Sequence, residues 1–169
     1  MKSDQPFPWY AVQVRTKGEN LVRTLLERKE YEIYLPTYKE VRKYSDRMKK
    51  VDVPLFPGYV FCRMDVTERL PVLKTPGVHS ILGFDGEPSP VPDQEMVAIQ
   101  RVVGSGASVG PWPFLKVGDR VRVERGAFTG VEGILISERG CDRLILSVEM
   151  LQRSVAVEID RSWIRPLNR

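Results

Sequence analysis

Apolar positions along the chain fall into two regimes. Up to Gly104, segments of period 2 alternate with two stretches of helical period; beyond Pro113 only short period-2 segments remain. Trp9 to Arg15, aromatic and β-branched, predicts a strand. Thr16-Lys17-Gly18 is a turn, and Glu19 to Glu30 reads as a helix. Leu21, Val22, Leu25 and Leu26 form its apolar stripe, with Glu19, Arg23 and Glu27 at i,i+4 spacing opposite. Tyr31 to Val41 is extended, and Pro36 places it at an edge or a bulge. Arg42 to Lys50 reads as a hairpin tip leading to a strand at Val51 to Val53. Asp65 to Thr75 allows a short helix, with Thr67 as cap, Leu70, Val72 and Leu73 inward, and Pro71 limiting its length. Gly77 to Phe84 predicts another strand. Asp93 caps a second helix, with Met96, Ile99 and Val103 on one side and Gly104 as its stop.

The chain is organised around Pro54 to Phe61. Pro54 and Pro57 each fix a φ angle, and Gly58 permits a left-handed conformation. Strand alternation then sends Tyr59 and Phe61 to one sheet face and Val60 and Cys62 to the other. The second face packs a core. The aromatic face either meets a partner or is covered by helices like the first.

Gly104 to Pro113 is small, flexible in composition and predicted to be structureless, a linker between domains. After it, Val117–Arg125, Val131–Glu138, Arg143–Met150 and Arg153–Ile159 alternate strictly, with turns at Gly126, Gly130 and Gly140, and Trp163-Ile164 closes the set. Short strands at this spacing predict a small five-stranded barrel. Leu144 to Gln152 is leucine-rich and could tolerate a helix, but Val117 to Glu124 and Ser154 to Ile159 alternate with β-branched residues and the glycines at 126, 130, 133 and 140 disfavour one, so this part is expected to stay β and to leave Tyr59 and Phe61 unmasked.

Composition adds exclusions. No apolar run approaches the roughly 20 residues of a membrane span, and Met1 to Pro8 lacks a signal-peptide core, so a cytoplasmic protein is expected. Cys62 and Cys141 lie far apart and suggest neither disulfide nor metal site. The single histidine, His79, sits in a strand pattern, and no metal, Walker or nucleophile-elbow motif is present; no catalytic residue and no cofactor are expected. The net charge of +4, shared by both halves, is compatible with a nucleic-acid partner.

Glycines at 118, 126, 130 and 133 around alternating valines, with Phe128 presented between two of them, are the pattern of a KOW module. With the Trp9-Tyr10 strand, the Phe56-Pro57-Gly58-Tyr59-Val60 turn, the Gly77 to Phe84 strand and the linker in this order, the chain resembles the NusG family of transcription elongation factors over nearly its whole length. Pro54-Leu55-Phe56-Pro57 and Gly126-Ala127-Phe128 resemble the specialised RfaH branch, whose His-Thr-Thr element is here Glu68-Arg69-Leu70-Pro71.

The resemblance implies an α+β fold. Residues 1–104 form an antiparallel sheet with flanking helices, 105–115 a linker and 116–169 a KOW β-barrel. It implies a monomer that binds the clamp helices of RNA polymerase through Tyr10, Phe56, Tyr59, Phe61, Phe84, Met96 and Ile99. Arg15, Lys17, Arg23, Lys74 and Thr75 fall on the edge that the family turns to the non-template DNA strand. Phe128 and Leu151 fall where the KOW module meets a ribosomal protein or Rho. A ribosome-associated or RNA-binding KOW protein acting in translation is the competing reading. Neither involves a membrane.

Overall fold

A computed structural model describes residues 6–167. In chain order the elements are β1 (Trp9–Val14), α1 (Glu19–Arg28), β2 (Glu32–Tyr34), β3 (Thr37–Tyr44), β4 (Arg47–Pro54), β5 (Tyr59–Arg63), α2 (Leu70–Leu73), β6 (Val78–Ile81), β7 (Gly83–Phe84), β8 (Glu87–Pro88) and α3 (Asp93–Gly104). They continue as β9 (Val109–Trp112), β10 (Asp119–Val123), β11 (Glu132–Glu138), β12 (Cys141–Val148), β13 (Arg153–Glu158) and β14 (Ile164–Pro166). The fold is α+β with antiparallel sheets, as the two regimes of periodicity require. It divides into two compact units: the chain up to Leu35 with Phe56–Asp93, and Pro36–Leu55 with Gln94–Arg169. No helix among the described residues is long and apolar enough to cross a membrane.

The first unit is built on a four-stranded sheet in the order β2-β5-β1-β6. β1 lies between two neighbours and is buried at every position except Gln13. One sheet face carries Tyr10, Val12, Val14, Val60, Cys62 and Ile81, packed with Val22 and Leu26 of α1 and Val72 of α2. The α1 stripe is narrower than the periodicity predicts: Leu21 is exposed and Leu25 half-buried, because two positions per two turns suffice on a sheet this small.

The region after β5 departs further from expectation. Asp65, not Thr67, is the cap: its carboxylate accepts the Thr67 N–H at 3.0 Å, opening a 3-10 turn at Val66–Glu68. The four-residue α2 turns only Val72 inward and leaves Leu70 and Leu73 exposed, since one helical turn has one inward position. The last strand of this unit is also broken. β6 ends at Ile81, and Gly83–Phe84 pairs instead with Glu87–Pro88 in a small hairpin. A Cβ on Gly83 would lie 1.7 Å from the Glu87 carbonyl oxygen, so only glycine admits this approach.

In the second unit, six strands run in the order β14-β10-β11-β12-β13-β9. The predicted five are joined by a sixth, β9, taken from the stretch expected to be structureless. Leu144, Leu146, Val148, Val155 and Val157 bury one face. On the other, Ile134, Ile145 and Ala156 are covered by Trp112, Leu115 and Ile136. Ser147 and Ser154 stand opposite each other on β12 and β13, their hydroxyls 2.6 Å apart. Between them they hold the backbone of Leu115: its N–H donates to Ser154 Oγ at 3.1 Å, and Ser147 Oγ donates to its carbonyl at 2.8 Å. A polar backbone satisfied in this way can lie against the sheet. Leu144 to Gln152 is strand followed by a 3-10 turn, as the alternation predicts. In α3 the buried positions are Met96, Ile99 and Val102, with the predicted Val103 half-buried.

Two expectations follow. Burial pushes the Cys62 thiol up to about 12, whereas Cys141 is only half-buried. Titration with a chromogenic disulfide at pH 8 is expected to detect one reactive thiol in the native chain and a second after denaturation. A Cβ on Gly133 would meet the Ile145 carbonyl at 2.6 Å and Leu144 Cδ1 at 2.8 Å. Gly133→Ala is therefore expected to destabilise the six-stranded sheet by about 1–3 kcal/mol, measured by chemical denaturation followed through tryptophan fluorescence.

Candidate docking face and nucleic-acid edge

The second face of the four-stranded sheet is aromatic. Antiparallel register sets Tyr59 against Gln13, Phe61 against Ala11, and Arg63 against Trp9. On the other side of β5, Tyr34 stands opposite Phe61 and Glu32 opposite Arg63. Ala11 leaves room for the Phe61 ring, which is fully buried. Phe61 meets Phe56 edge-on at 5.6 Å and Tyr34 at 6.3 Å, and Tyr34 meets Trp9 at 6.3 Å. The Arg63 guanidinium lies 4.8 Å from the Trp9 ring centroid and donates to Glu32 at 3.3 Å. In this row of four rings closed by a cation, Tyr34 and Phe61 each meet two rings, Trp9 meets one ring and the Arg63 cation, and Phe56 meets Phe61 alone.

Two polar groups of this face are left over. Among the described residues, the Tyr34 hydroxyl and Arg63 Nε are buried and find no hydrogen-bond partner. Burial holds the Tyr34 phenol at about 12, so it remains a neutral donor. Buried polar groups of this sort are costly and are concentrated at functional positions.

The residues named from sequence separate by place. Tyr59 is half-buried at the rim of the aromatic face, and Phe84 is 65% exposed on the β7–β8 hairpin. Phe56 and Phe61 are buried within the ring row. Tyr10 lies on the opposite face, in the core with Val12 and Val60, because alternation puts Trp9 beside Phe61's neighbours instead. Burial and the nearby Asp65 raise its phenol pKa. Trp9, Tyr34 and Arg63 complete the row and are not among the site residues named from sequence. Their signal is cross-strand register, which a single strand pattern does not contain.

Met96 and Ile99 are buried on α3 in the second unit. On the same helix, Arg101 donates to the carbonyl of Thr129. Glu95 is buried enough to raise its carboxyl pKa, with the Glu149 carboxylate adding to the rise and the Glu149 backbone N–H opposing it. Phe128 precedes Thr129 and Leu151 lies two residues after Glu149, and both are buried rather than presented at the surface.

The cationic edge is gathered by turns at the end of β1. Val14 N–H donates to the Gly58 carbonyl at 2.8 Å and Arg15 N–H to the Gly77 carbonyl at 2.9 Å. Arg15, Lys17 and Lys74 are exposed and Arg23 half-buried. Thr75 is different: it is buried, donates to the Pro71 carbonyl and accepts from Lys29 Nζ, both at 2.9 Å. It therefore closes α2 instead of facing solvent. Among the described residues no group of three His, Cys, Asp or Glu side chains is placed to hold a metal.

Residues 7–100 match the family described as transcription termination factor nusG. The transcription termination/antitermination protein NusG of Lactococcus lactis strain IL1403 is 34% identical over 94% of this chain and 92% of its own length. Its namesake in Pseudomonas aeruginosa PAO1 is 31% identical over 92% and 96%. Among solved structures, one titled "Domain interaction in Thermotoga maritima NusG" superimposes with a TM-score of 0.57 at 25% identity, covering 95% of this chain and 97% of that one. With the turn at Gly58, the aromatic sheet face and the alternating C-terminal strands falling in one order along nearly the whole chain, this protein belongs to the NusG family.

Proposed function

We propose that the protein is a transcription elongation and antitermination factor that binds the clamp helices of RNA polymerase through its aromatic sheet face. The observation that carries the reading is the pair of accessible rings, the half-buried Tyr59 and the 65% exposed Phe84, on a unit whose sheet is packed behind them by the buried row of Trp9, Phe61 and Phe56 with Tyr34. A preorganised apolar surface with a few polar groups suits an amphipathic helix. Phe61 and Phe56 support this surface from below, while Tyr59 and Phe84 are the rings accessible to a partner. Met96 and Ile99, which the family resemblance assigns to docking, are buried on α3 of the second unit and offer a partner no accessible side chain. By bridging the polymerase cleft the protein suppresses pausing or termination, as a cytoplasmic monomer and without catalysis of its own. Arg15, Lys17, Arg23 and Lys74 supply the edge that faces non-template DNA. Phe128 and Leu151 belong to the C-terminal recruitment surface for a ribosomal protein or Rho, and their burial means that loops around them must open before either partner is met.

Truncating Tyr59 or Phe84 to alanine is expected to weaken binding to core polymerase by about 2 kcal/mol, roughly 30-fold, with an unchanged melting temperature. Phe61→Ala is expected to lower stability by about 3–5 kcal/mol first. Titration of fluorescent protein with core polymerase decides the matter; wild-type affinity in both Tyr59→Ala and Phe84→Ala removes the docking assignment. For the cationic edge, photocrosslinkers at positions 15 and 17 should label non-template DNA in a stalled elongation complex. A crosslinker at the exposed Arg139 turn should not, and equal labelling from it would reduce the edge to nonspecific charge.

A further inference from the structure

The β3–β4 hairpin has no role in the docking surface described above. Its strands pair with each other and with no other strand among the described residues, and every residue from Val41 to Lys50 is exposed. Eight residues per strand give it a length of about 27 Å. Register decides what each face carries. Tyr44 stands opposite Arg47 beside the Ser45-Asp46 turn, and Arg42 opposite Lys49 one step below, so these four side chains share one face. The reverse face carries Lys43 opposite Met48, and Val41 opposite Lys50.

Two of the hairpin's carboxylates, Glu40 and Asp52, sit towards its base, and the third, Asp46, lies in the turn with no cation within ion-pair distance among the described residues. Lys39 pairs with Asp52 at 2.7 Å, and Arg42 reaches Glu40 at 3.6 Å. Arg47 and Lys49 have no carboxylate within ion-pair distance among the described residues. The Tyr44 ring is 45% exposed beside them, and no aromatic or cation contact to it is seen among the described residues. Arg47 and Lys49 without an ion pair, and Arg42 with only an exposed one to Glu40, interleave with an open aromatic ring and complement a phosphate backbone carrying unstacked bases. A duplex offers the phosphates but no free base face.

We infer that the Arg42–Tyr44–Arg47–Lys49 face of the hairpin binds single-stranded nucleic acid, with Tyr44 stacking on a base and the three cations contacting phosphates. This surface is carried by β3 and β4, whereas Arg15 and Lys17 follow β1, and it does not require polymerase.

The test uses the full chain, a labelled 12-nucleotide single strand of mixed sequence (DNA and RNA in separate arms) and anisotropy over a salt series. Replacing Arg42, Arg47 and Lys49 by glutamine is expected to reduce the slope of log K against log salt by about 2, at roughly 0.7 per lost phosphate contact. Tyr44→Leu is expected to weaken binding about tenfold while Tyr44→Phe retains it. Arg15→Gln with Lys17→Gln should leave both hairpin effects in place, so failure of the edge and failure of the hairpin are read separately. The inference is overturned if Lys43→Gln with Lys50→Gln lowers the slope as much per charge as the first set. It is equally overturned if Tyr44→Leu binds like the wild type, or if a duplex or polyglutamate of equal charge competes as well as the single strand.

Discussion

A buried carboxylate holds the organising turn in place. Glu19, 6% exposed at the first position of α1, accepts the Gly58 N–H at 2.9 Å. The Gly58 carbonyl in turn accepts from Val14 at the end of β1. The turn is thus tied to a helix start on one side and a central strand on the other. A carboxylate at a helix N-terminus is favoured by the helix dipole, and a hydrogen bond to a charged group contributes about 1.5–3 kcal/mol. With φ at +87°, Gly58 occupies a conformation that a side chain would strain. What the bond fixes is phase. A slip of one residue in β5 would send Val60 and Cys62 to the aromatic face and drive Tyr59 and Phe61 into the core.

The aromatic face depends on that phase. Ala11 opposite Phe61 provides the space, and Tyr34 and Phe56 close on the ring from two sides. Burial of Phe61 makes it a support, and the rim residues become the accessible ones. The leftover Tyr34 hydroxyl and Arg63 Nε are the cost of keeping polar groups under an apolar surface. In the second unit the same economy operates through backbone. The paired hydroxyls of Ser147 and Ser154 satisfy Leu115, so a glycine- and proline-rich stretch becomes part of a sheet instead of a free tether.

Much of the fold is legible in the chain itself. Period-2 alternation located β1, β5 and most of the C-terminal strands because half-buried strands must alternate, and the apolar stripe located α1 and α3 because a helix packs one side. The split of Tyr59 and Phe61 from Val60 and Cys62 follows from the same rule, and so does the persistence of β structure through Leu144 to Val148. The glycine spacing, with the Phe56 to Val60 turn, was specific enough to carry family membership. All of these are local properties: they depend on residues within one element and on the geometry of the backbone.

Tertiary structure decided what local pattern does not contain. Which aromatic of the Trp9-Tyr10 pair joins Phe61 depends on the register of β1 against β5. Thr75 looks like a surface residue until Lys29, distant in sequence, reaches it. Phe128 stands between glycines as if displayed, yet it packs inward, and Val109 to Trp112 becomes a strand only because β13 offers an edge. For Trp9, Thr75 and Val109 to Trp112 the deciding partner lies tens of residues away, and pairing across such distances is set by the assembled sheets and not by the sequence of either segment alone.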